Sequence, residues 1–323
     1  MIPEDIFLKI VRCATKAPSG HNTQPWLFSK NEDVVYIIPD FKRALPVADP
    51  QNRELFISLG CVVENAKIAA RFYGYSTKIN VDLLSNRLMI RIALQKDDCQ
   101  EQPELFSYIK YRQTTRNFYD DTAIPDEDIV TLIRSLTIPP QNLMLYTNYE
   151  QKRTLTPFIL NASRIQMTNP AFTNELICWM RFSQREAMQK GDGLYTACFG
   201  LPSMGRTLGS FVLKKCITSK TEEKRLRKEM SKAATIALIT SEKDDPEHWI
   251  EAGCSFQRFA LTASSLNLNH SYLNSPIQVP EMRAKLMSEM SLDGAYPQLL
   301  IRLGYSNKTS FSFRRRVNDM IIK

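Results

Sequence analysis

The sequence predicts an α+β fold in which antiparallel-rich sheets are covered by helices. Three observations carry this. Helical and strand-like segments intermix along the chain. The hydrophobic strand-like runs are short. A weak internal repeat relates two segments 193 residues apart, laying Gly60-Cys61 on Gly253-Cys254, Ala70 on Ala263 and Phe56 on Trp249. Long amphipathic helices also match by chance, so the repeat alone is only suggestive of two related halves.

The elements follow in order. Residues 4–15 place Ile6, Phe7, Ile10, Val11 and Ala14 on one helical face, with Pro3, Glu4 and Asp5 in the first turn. Short strands are expected at 26–30 and 34–38. A long helix is expected at 53–73, with Leu55, Leu59, Val62, Val63, Ala66, Ala69 and Ala70 at three/four spacing. Gly60 sits inside it; an interior glycine costs about 1 kcal/mol relative to alanine, which points to close packing there. Strand alternation returns at 87–94, and the polar segment Asp97–Pro103 is a candidate junction. The second half begins near 104, with helical patterns at 104–110 and 126–136 and a strand at 143–147. A mostly helical stretch fills 150–232. A strand at 234–240, a long helix at 246–266, a short helix near 280–290 and a strand at 298–304 complete the reading.

Length and composition bound the rest. At 323 residues the chain is comfortable for two cores. Hydrophobic content is 43% and charged content 24%, an ordinary globular balance with no expected disordered tail. The N-terminus carries no basic region followed by an apolar stretch, and no apolar run approaches the roughly 20 residues of a membrane span. No membrane association is therefore expected. Seven cysteines without a Cys-x-x-Cys pair read as reduced thiols in a cytoplasmic protein. The three histidines, His21, His248 and His270, form no metal-ligand spacing with them. The net charge is +8, but the densest basic stretch, Lys220–Lys232, is interleaved with Glu222, Glu223 and Glu229 as on a solvated helix face. No nucleic-acid-binding signature accompanies it.

Two motifs carry chemistry. The first is Ala17-Pro18-Ser19-Gly20-His21-Asn22-Thr23-Gln24-Pro25-Trp26. Pro18 stops the preceding helix. Ser19, Gly20 and Asn22 then form a tight polar turn whose backbone N–H groups suit a flat polar ligand with an anionic tail. A Pro-Ser-Gly turn by itself is equally an ordinary helix-to-strand loop. The second is Arg112-Gln113-Thr114-Thr115-Arg116-Asn117-Phe118. Two arginines four apart, flanked by hydroxyls, can surround a phosphate and a polar ring edge, because the guanidinium fork binds oxygens bidentately. Alone, this is also compatible with a surface loop. Arg314-Arg315-Arg316 near the C-terminus reads either as a basic tail or as a third cationic element.

Together the strings Ala-Pro-Ser-x-x-Asn-x-Gln-Pro-Trp and Arg-x-Thr-x-Arg-x-Phe resemble the nitroreductase family. The resemblance implies an FMN cofactor. It implies FMN-binding roles for Pro18, Ser19, Gly20, Asn22, Gln24, Arg112, Gln113, Thr114, Arg116, Asn274, Ser275, Arg314 and Arg315. Arg112 and Thr114 match phosphate and ribityl contacts, Arg116 matches the cation by the N1/O2 ring edge, and Arg314 and Arg315 match a C-terminal phosphate clamp. The order of the motifs, turn before arginines, resembles the Acg-type branch, in which two halves are fused as an intramolecular pseudo-dimer. Asp49–Glu54, Trp249–Gly253, Asp192-Gly193-Leu194, Leu273–Pro276 and Pro297–Tyr305 also fit that branch. On this resemblance, residues 1–100 are a truncated half carrying the turn. Residues 104–323 are a half carrying the arginine motif, with 150–232 as a helical lid. The first half lacks an arginine motif, and Pro139-Pro140-Gln141-Asn142 is a degenerate turn in the second, so one site per chain is expected in a monomer, with at most a weak homodimer.

The implied activity is an FMN-dependent NAD(P)H oxidoreductase reducing nitroaromatics, quinones or similar acceptors by ping-pong hydride transfer. NADH and NADPH are not distinguished. The cofactor carries the hydride chemistry, and no catalytic side chain is required. His21 stands beside the turn as a substrate-side or a structural residue. A second class stays open: a flavin-binding or storage protein with little reductase activity, in which the 150–232 segment closes over the cofactor.

Overall fold

The computed structural model describes residues 1–84, 87–97, 103–139, 142–216, 218–290, 292 and 294–322. Most of the expected junction Asp97–Pro103, and Pro140 and Gln141 of the expected degenerate turn, lie outside these residues.

The chain opens with α1 (Glu4–Ala14), whose acidic first turn and Arg12 in the last turn complement the helix dipole while Phe7, Ile10, Val11 and Ala14 are buried. The hairpin β1 (Trp26–Asn31) and β2 (Val34–Pro39) follows, then α2 (Arg53–Phe72), β3 (Tyr75–Leu84) and β4 (Arg87–Lys96). These strands make one antiparallel sheet in the order β1-β2-β4-β3. The sequence reading lacked β3. It is an edge strand with no fully buried residue over 75–82, yet Tyr75, Thr77, Ile79 and Val81 alternate with Ser76, Lys78, Asn80 and Asp82, and Tyr75, Ile79 and Val81 pack against the core, so the strand signal was present in the sequence.

A 3₁₀ turn covers Glu104–Lys110 where a helical pattern was expected. The second half continues with α3 (Asp126–Arg134), β5 (Leu143–Tyr146), α4 (Tyr149–Thr168), α5 (Pro170–Trp179), β6 (Met180–Arg181) and α6 (Gln184–Lys190). After β7 (Leu194–Tyr195) come α7 (Arg206–Cys216), α8 (Ser219–Lys232), β8 (Thr235–Ser241), α9 (Pro246–Ser265) and β9 (Asn269–Tyr272). The last elements are α10 (Ser275–Gln278), α11 (Pro280–Glu289) and β10 (Tyr296–Gly304). The second antiparallel sheet runs β5-β8-β10-β9, with β8 buried at every residue. β9, sequence Asn-His-Ser-Tyr, was missed because its residues give little strand signal. The observed architecture is thus the expected α+β one, two antiparallel sheets covered by helices.

The two sheets are joined through their long helices, α2 and α9. These cross where Gly60 meets Gly253. A Cβ on Gly60 would lie 2.0 Å from the Ile250 carbonyl oxygen, and one on Gly253 would lie 2.0 Å from that of Ile57. The thiols reciprocate: Cys61 Sγ donates to Gly253 O at 3.3 Å, and Cys254 Sγ donates to Gly60 O at 3.2 Å. One turn on, Gln257 donates to Asn65 Oδ1 at 2.7 Å, and Arg258 donates to Glu64 Oε1 at 2.9 Å. Phe56 stacks on Trp249 with centroids 6.0 Å apart. Gly60–Gly253 and Phe56–Trp249 lie 193 residues apart, and the remaining contacts fall at separations of 192 and 194 that exchange under that offset, so the crossing behaves as a local two-fold axis inside one chain. The C-terminal tail then returns to the first sheet, where Ile322 N donates to Phe28 O at 2.8 Å.

Candidate functional site

A cavity of about 610 Å³ lies beside this crossing. Its floor includes Ile57, Ser58 and Cys61 of α2 and Phe256 of α9. One wall is the 18–22 turn. Pro18, after α1 has ended, sends the chain into Ser19–Asn22, and Ser19 Oγ closes the turn by accepting from Gln24 N at 2.9 Å. Asn22 fastens it from behind, donating through Nδ2 to Gly193 O at 3.0 Å and Phe313 O at 3.1 Å. Gln24 is fully buried; its Nε2 donates to Gly191 O at 2.8 Å and its Oε1 accepts from Arg315 N at 2.9 Å.

The arginine motif forms the facing wall. Its backbone pairs with β9, Thr115 N donating to His270 O at 2.9 Å, and this aims Arg112, Thr114 and Arg116 at the cavity. The C-terminal strap, with Ser310, Ser312 and Arg314, completes the polar end. The Arg112 side chain is buried; Nη2 reaches Lys16 O at 3.2 Å, while Nε and Nη1 are buried with no protein partner. Arg116 rests on the Phe199 ring at 4.4 Å with no hydrogen bond among the described residues. Arg314 donates only to backbone carbonyls, those of Thr15, Lys16, Ala17, Ser312 and Phe313. None of the three has a carboxylate partner among the described residues. Burial, and then the neighbouring Arg112, push Arg314 down to about 9. Burial also lowers Arg112 and Arg116. The carboxylates that reach the cavity are committed elsewhere. Glu54 accepts from Asn274 Nδ2 at 2.5 Å and Gln278 Nε2 at 3.0 Å, and Glu222 pairs with Arg225. The site is therefore built to receive an anion.

The opposite end is apolar. Met167, Phe172, Leu176, Met180, Phe199 and Leu213, all from the 150–232 segment, close it. That segment is tied to the first half: the Glu175 carboxylate accepts from Val47 N and Ala48 N at 3.0 and 2.8 Å. Asp192 accepts from Arg43 and, within the segment itself, from Arg181 at 2.6 Å. Gly193 N donates to Asn22 O at 3.2 Å.

Ten of the thirteen residues expected from the sequence line the cavity: Pro18, Ser19, Gly20, Asn22, Arg112, Gln113, Thr114, Arg116, Asn274 and Arg314. Gln24, Ser275 and Arg315 do not. Gln24 and Arg315 bind each other behind the turn, and Ser275 Oγ faces Ile159 O at 3.5 Å, so they brace the wall. Three that line it have their amides occupied. Asn22 holds Gly193 and the C-terminal strap, Gln113 accepts from Thr309 N at 2.8 Å, and Asn274 bridges Glu54 and Leu300 N. The sequence reading missed Glu54, Tyr272, Ser310 and Ser312. Alternating hydroxyl and aromatic residues over 310–313, just before the arginines, were a usable signal for the two serines. The apolar cavity residues of 150–232 offered none, being indistinguishable from core residues. Among the described residues no group of acidic, histidine and cysteine side chains could hold a metal, and no helix is long and apolar enough to cross a membrane.

No family model matches the chain. A protein of Mycobacterium tuberculosis named "Putative NAD(P)H nitroreductase Rv3131" is 23% identical over 322 residues, covering 92% of this chain and 84% of its own length. "Putative NAD(P)H nitroreductase acg" of the same organism is 31% identical over 86 residues, 27% of this chain and 25% of its own. Among solved structures, iodotyrosine deiodinase bound to FMN and 3-iodo-L-tyrosine covers 66% of this chain and 95% of its own at 13% identity and a TM-score of 0.43. The FMN-dependent nitroreductase NfnB of Mycobacterium smegmatis in complex with NADPH covers 62% and 86% at 12% identity and 0.37. The chain is thus similar through nearly its whole length to a protein named a putative NAD(P)H nitroreductase, with both motifs in place, which supports the nitroreductase family and agrees with the Acg-type branch.

Proposed function

We propose that this protein is an FMN-dependent NAD(P)H oxidoreductase of nitroreductase type, with the cofactor held in the cavity between its halves. The observation that carries the reading is the buried Arg112, with two nitrogens unpartnered, beside Arg116 and Arg314 and without a carboxylate for any of the three. Burying such cations is unfavourable unless a ligand supplies the charge, and a phosphate does so. Arg112 and Arg314 would hold the phosphate. The hydroxyls of Ser19, Thr114 and Ser312 would serve the polyol chain, and Arg116 would face the electron-rich ring edge. Gly20 lets the turn pack tightly on the protein behind it: a Cβ there would meet Leu45 Cδ1 at 3.1 Å.

When bound, FMN supplies hydride acceptance and donation, which no protein side chain can. The protein binds, orients and shields it. The lid residues Met167, Phe172 and Leu176 exclude water over the apolar end, which fits a nitroaromatic, a quinone or a similar flat acceptor. Solvent supplies protons. A visible spectrum of the purified chain with added FMN, followed by stopped-flow mixing with NADPH, tests this. The expected results are a bound-flavin band near 450 nm and its rapid bleaching. Absence of the band rejects the reading.

One observation favours a second reading, flavin storage. The lid is fastened at Glu175, by the Arg43–Asp192 pair and by the Asn22–Gly193 pair, and together these contacts oppose its opening. Slow or absent bleaching of a retained flavin would select storage.

A further inference from the structure

The 18–26 turn is strained at the residue its chemistry has not yet used. His21, Asn22 and Gln24 have φ of 48°, 55° and 52°, in the left-handed region that non-glycine residues seldom adopt. Asparagine tolerates it; histidine does so less readily. The neighbouring Gly20, free to take it, does not. A strained conformation persists only where its surroundings over-determine it. Here Ser19 Oγ on Gln24 N, Asn22 on Gly193 O and Phe313 O, and Gln24 on Gly191 O hold the turn from one side. The opposite side presents the imidazole. His21 lines the cavity, and its Nε2 is buried with no protein partner. Arg116 is the charged group that acts on it, and it too lines the cavity with no hydrogen bond of its own among the described residues.

We propose that His21 and Arg116 form a two-donor pocket for the oxygen edge of the bound FMN ring, with the imidazole giving a neutral Nε2–H hydrogen bond beside the guanidinium charge. This rests on the FMN reading above. Burial, reinforced by Arg116, pushes His21 down to about 4, so at neutral pH the ring contributes a donor and no second charge. A neutral imidazole used as an electrophile keeps its hydrogen throughout: no proton is transferred and no bond to the protein forms. The ring edge gains electron density on reduction. A donor there binds the reduced cofactor more tightly than the oxidised one and so sets the potential of the site. His21 is thus a tuning residue, acting on the cofactor and not on the substrate.

The test is the reduction potential of bound FMN, measured by equilibration with a reference dye, in the wild type and in His21→Phe, His21→Gln and His21→Gly. His21→Phe should shift the equilibrium at least tenfold toward oxidised flavin, about 30 mV for a two-electron couple. His21→Gln, which restores a donor, should recover most of that shift. His21→Gly should lose the donor but relieve the turn, giving the same shift with undiminished thermal stability, which separates tuning from folding. Nitrogen-15 NMR of the flavin-free chain should show the His21 ring neutral down to about pH 5. A shift under twofold in His21→Phe, or a His21 titration midpoint between 6 and 7, overturns the proposal while leaving the FMN reading intact. Failure to take up FMN at all, visible as a missing flavin band before any variant is made, overturns both.

Discussion

Alanine at Gly60 perturbs the molecule at the contact that joins its halves. The new Cβ would lie 2.0 Å from Ile250 O, 2.8 Å from Cys254 N and 2.9 Å from Gly253 Cα, all of them backbone atoms of α9. No rotamer change relieves this, so the two helices must separate by about 1 Å or more to restore van der Waals distance. Overpacking of this kind costs about 1–3 kcal/mol, and alanine's helix propensity returns only about 1 kcal/mol. The separation also stretches both Cys–carbonyl hydrogen bonds and the Gln257–Asn65 contact, so a net loss of about 2 kcal/mol is expected. Gly253→Ala should lose a similar amount, because its Cβ meets Ile57 O at the same 2.0 Å. Gly205→Ala, with no atom within 4 Å of its Cβ, should stay within about 0.5 kcal/mol of wild type. Because Ile57, Ser58, Cys61 and Phe256 form the cavity floor, the first two variants should also weaken FMN binding. Urea unfolding and flavin fluorescence titration measure both effects. A Gly60→Ala protein as stable as Gly205→Ala would refute the close crossing and the two-fold packing inferred from it.

Arg112→Ala should keep the fold and weaken FMN binding at least tenfold, since a lost charge-assisted contact costs about 1.5–3 kcal/mol; unchanged flavin retention on gel filtration would show that the arginine motif is misassigned. His270 is buried with both ring nitrogens unpartnered, and burial, with Arg112 and Arg116, pushes it down to about 3. Its folded value lies below the usual 6.5, so the unfolded chain takes up the proton first and stability falls as pH drops from about 6.5 toward 3. The loss at pH 4.5 is about 3 kcal/mol. His270→Phe should remove that component without cost at pH 7, and identical pH dependence of urea midpoints in the two proteins would rule it out. Asp192→Asn breaks the Arg43–Asp192–Arg181 tie, where losing one partner of a buried pair costs about 3 kcal/mol. Limited proteolysis should then cut within 150–232 faster, and an unchanged pattern would mean that this segment is held elsewhere.

The α+β class, the long helices and both cavity walls were legible because each rests on local physics. Three/four spacing marks 53–72 and 246–265, Pro18 marks the turn, and paired arginines with hydroxyls mark the anion end. Of the two strands not anticipated, β3 carries a signal in the alternation of Tyr75, Thr77, Ile79 and Val81 with polar residues, and only β9 was not legible. It is a polar strand that exists because Thr114–Thr115 and β10 pair with it. At the site, sequence reading gave the residue types but not the direction of their side chains. Gln24, Ser275 and Arg315 stand in motifs that reach the cavity, yet tertiary packing turns them into braces. Asn22 and Asn274 reach it with their amides already taken. Their partners, Gly193 and Glu54, lie 171 and 220 residues away, a separation at which no local pattern operates.

The central claim is that one polypeptide folds its two halves into a complete FMN site. Titrating flavin-free protein with FMN while following mass by light scattering tests it most directly. One FMN per chain, bound by a monomer and retained on dilution, is the expected result. Failure to bind FMN, two FMN per chain, or binding that is lost as a dimer dissociates would contradict it.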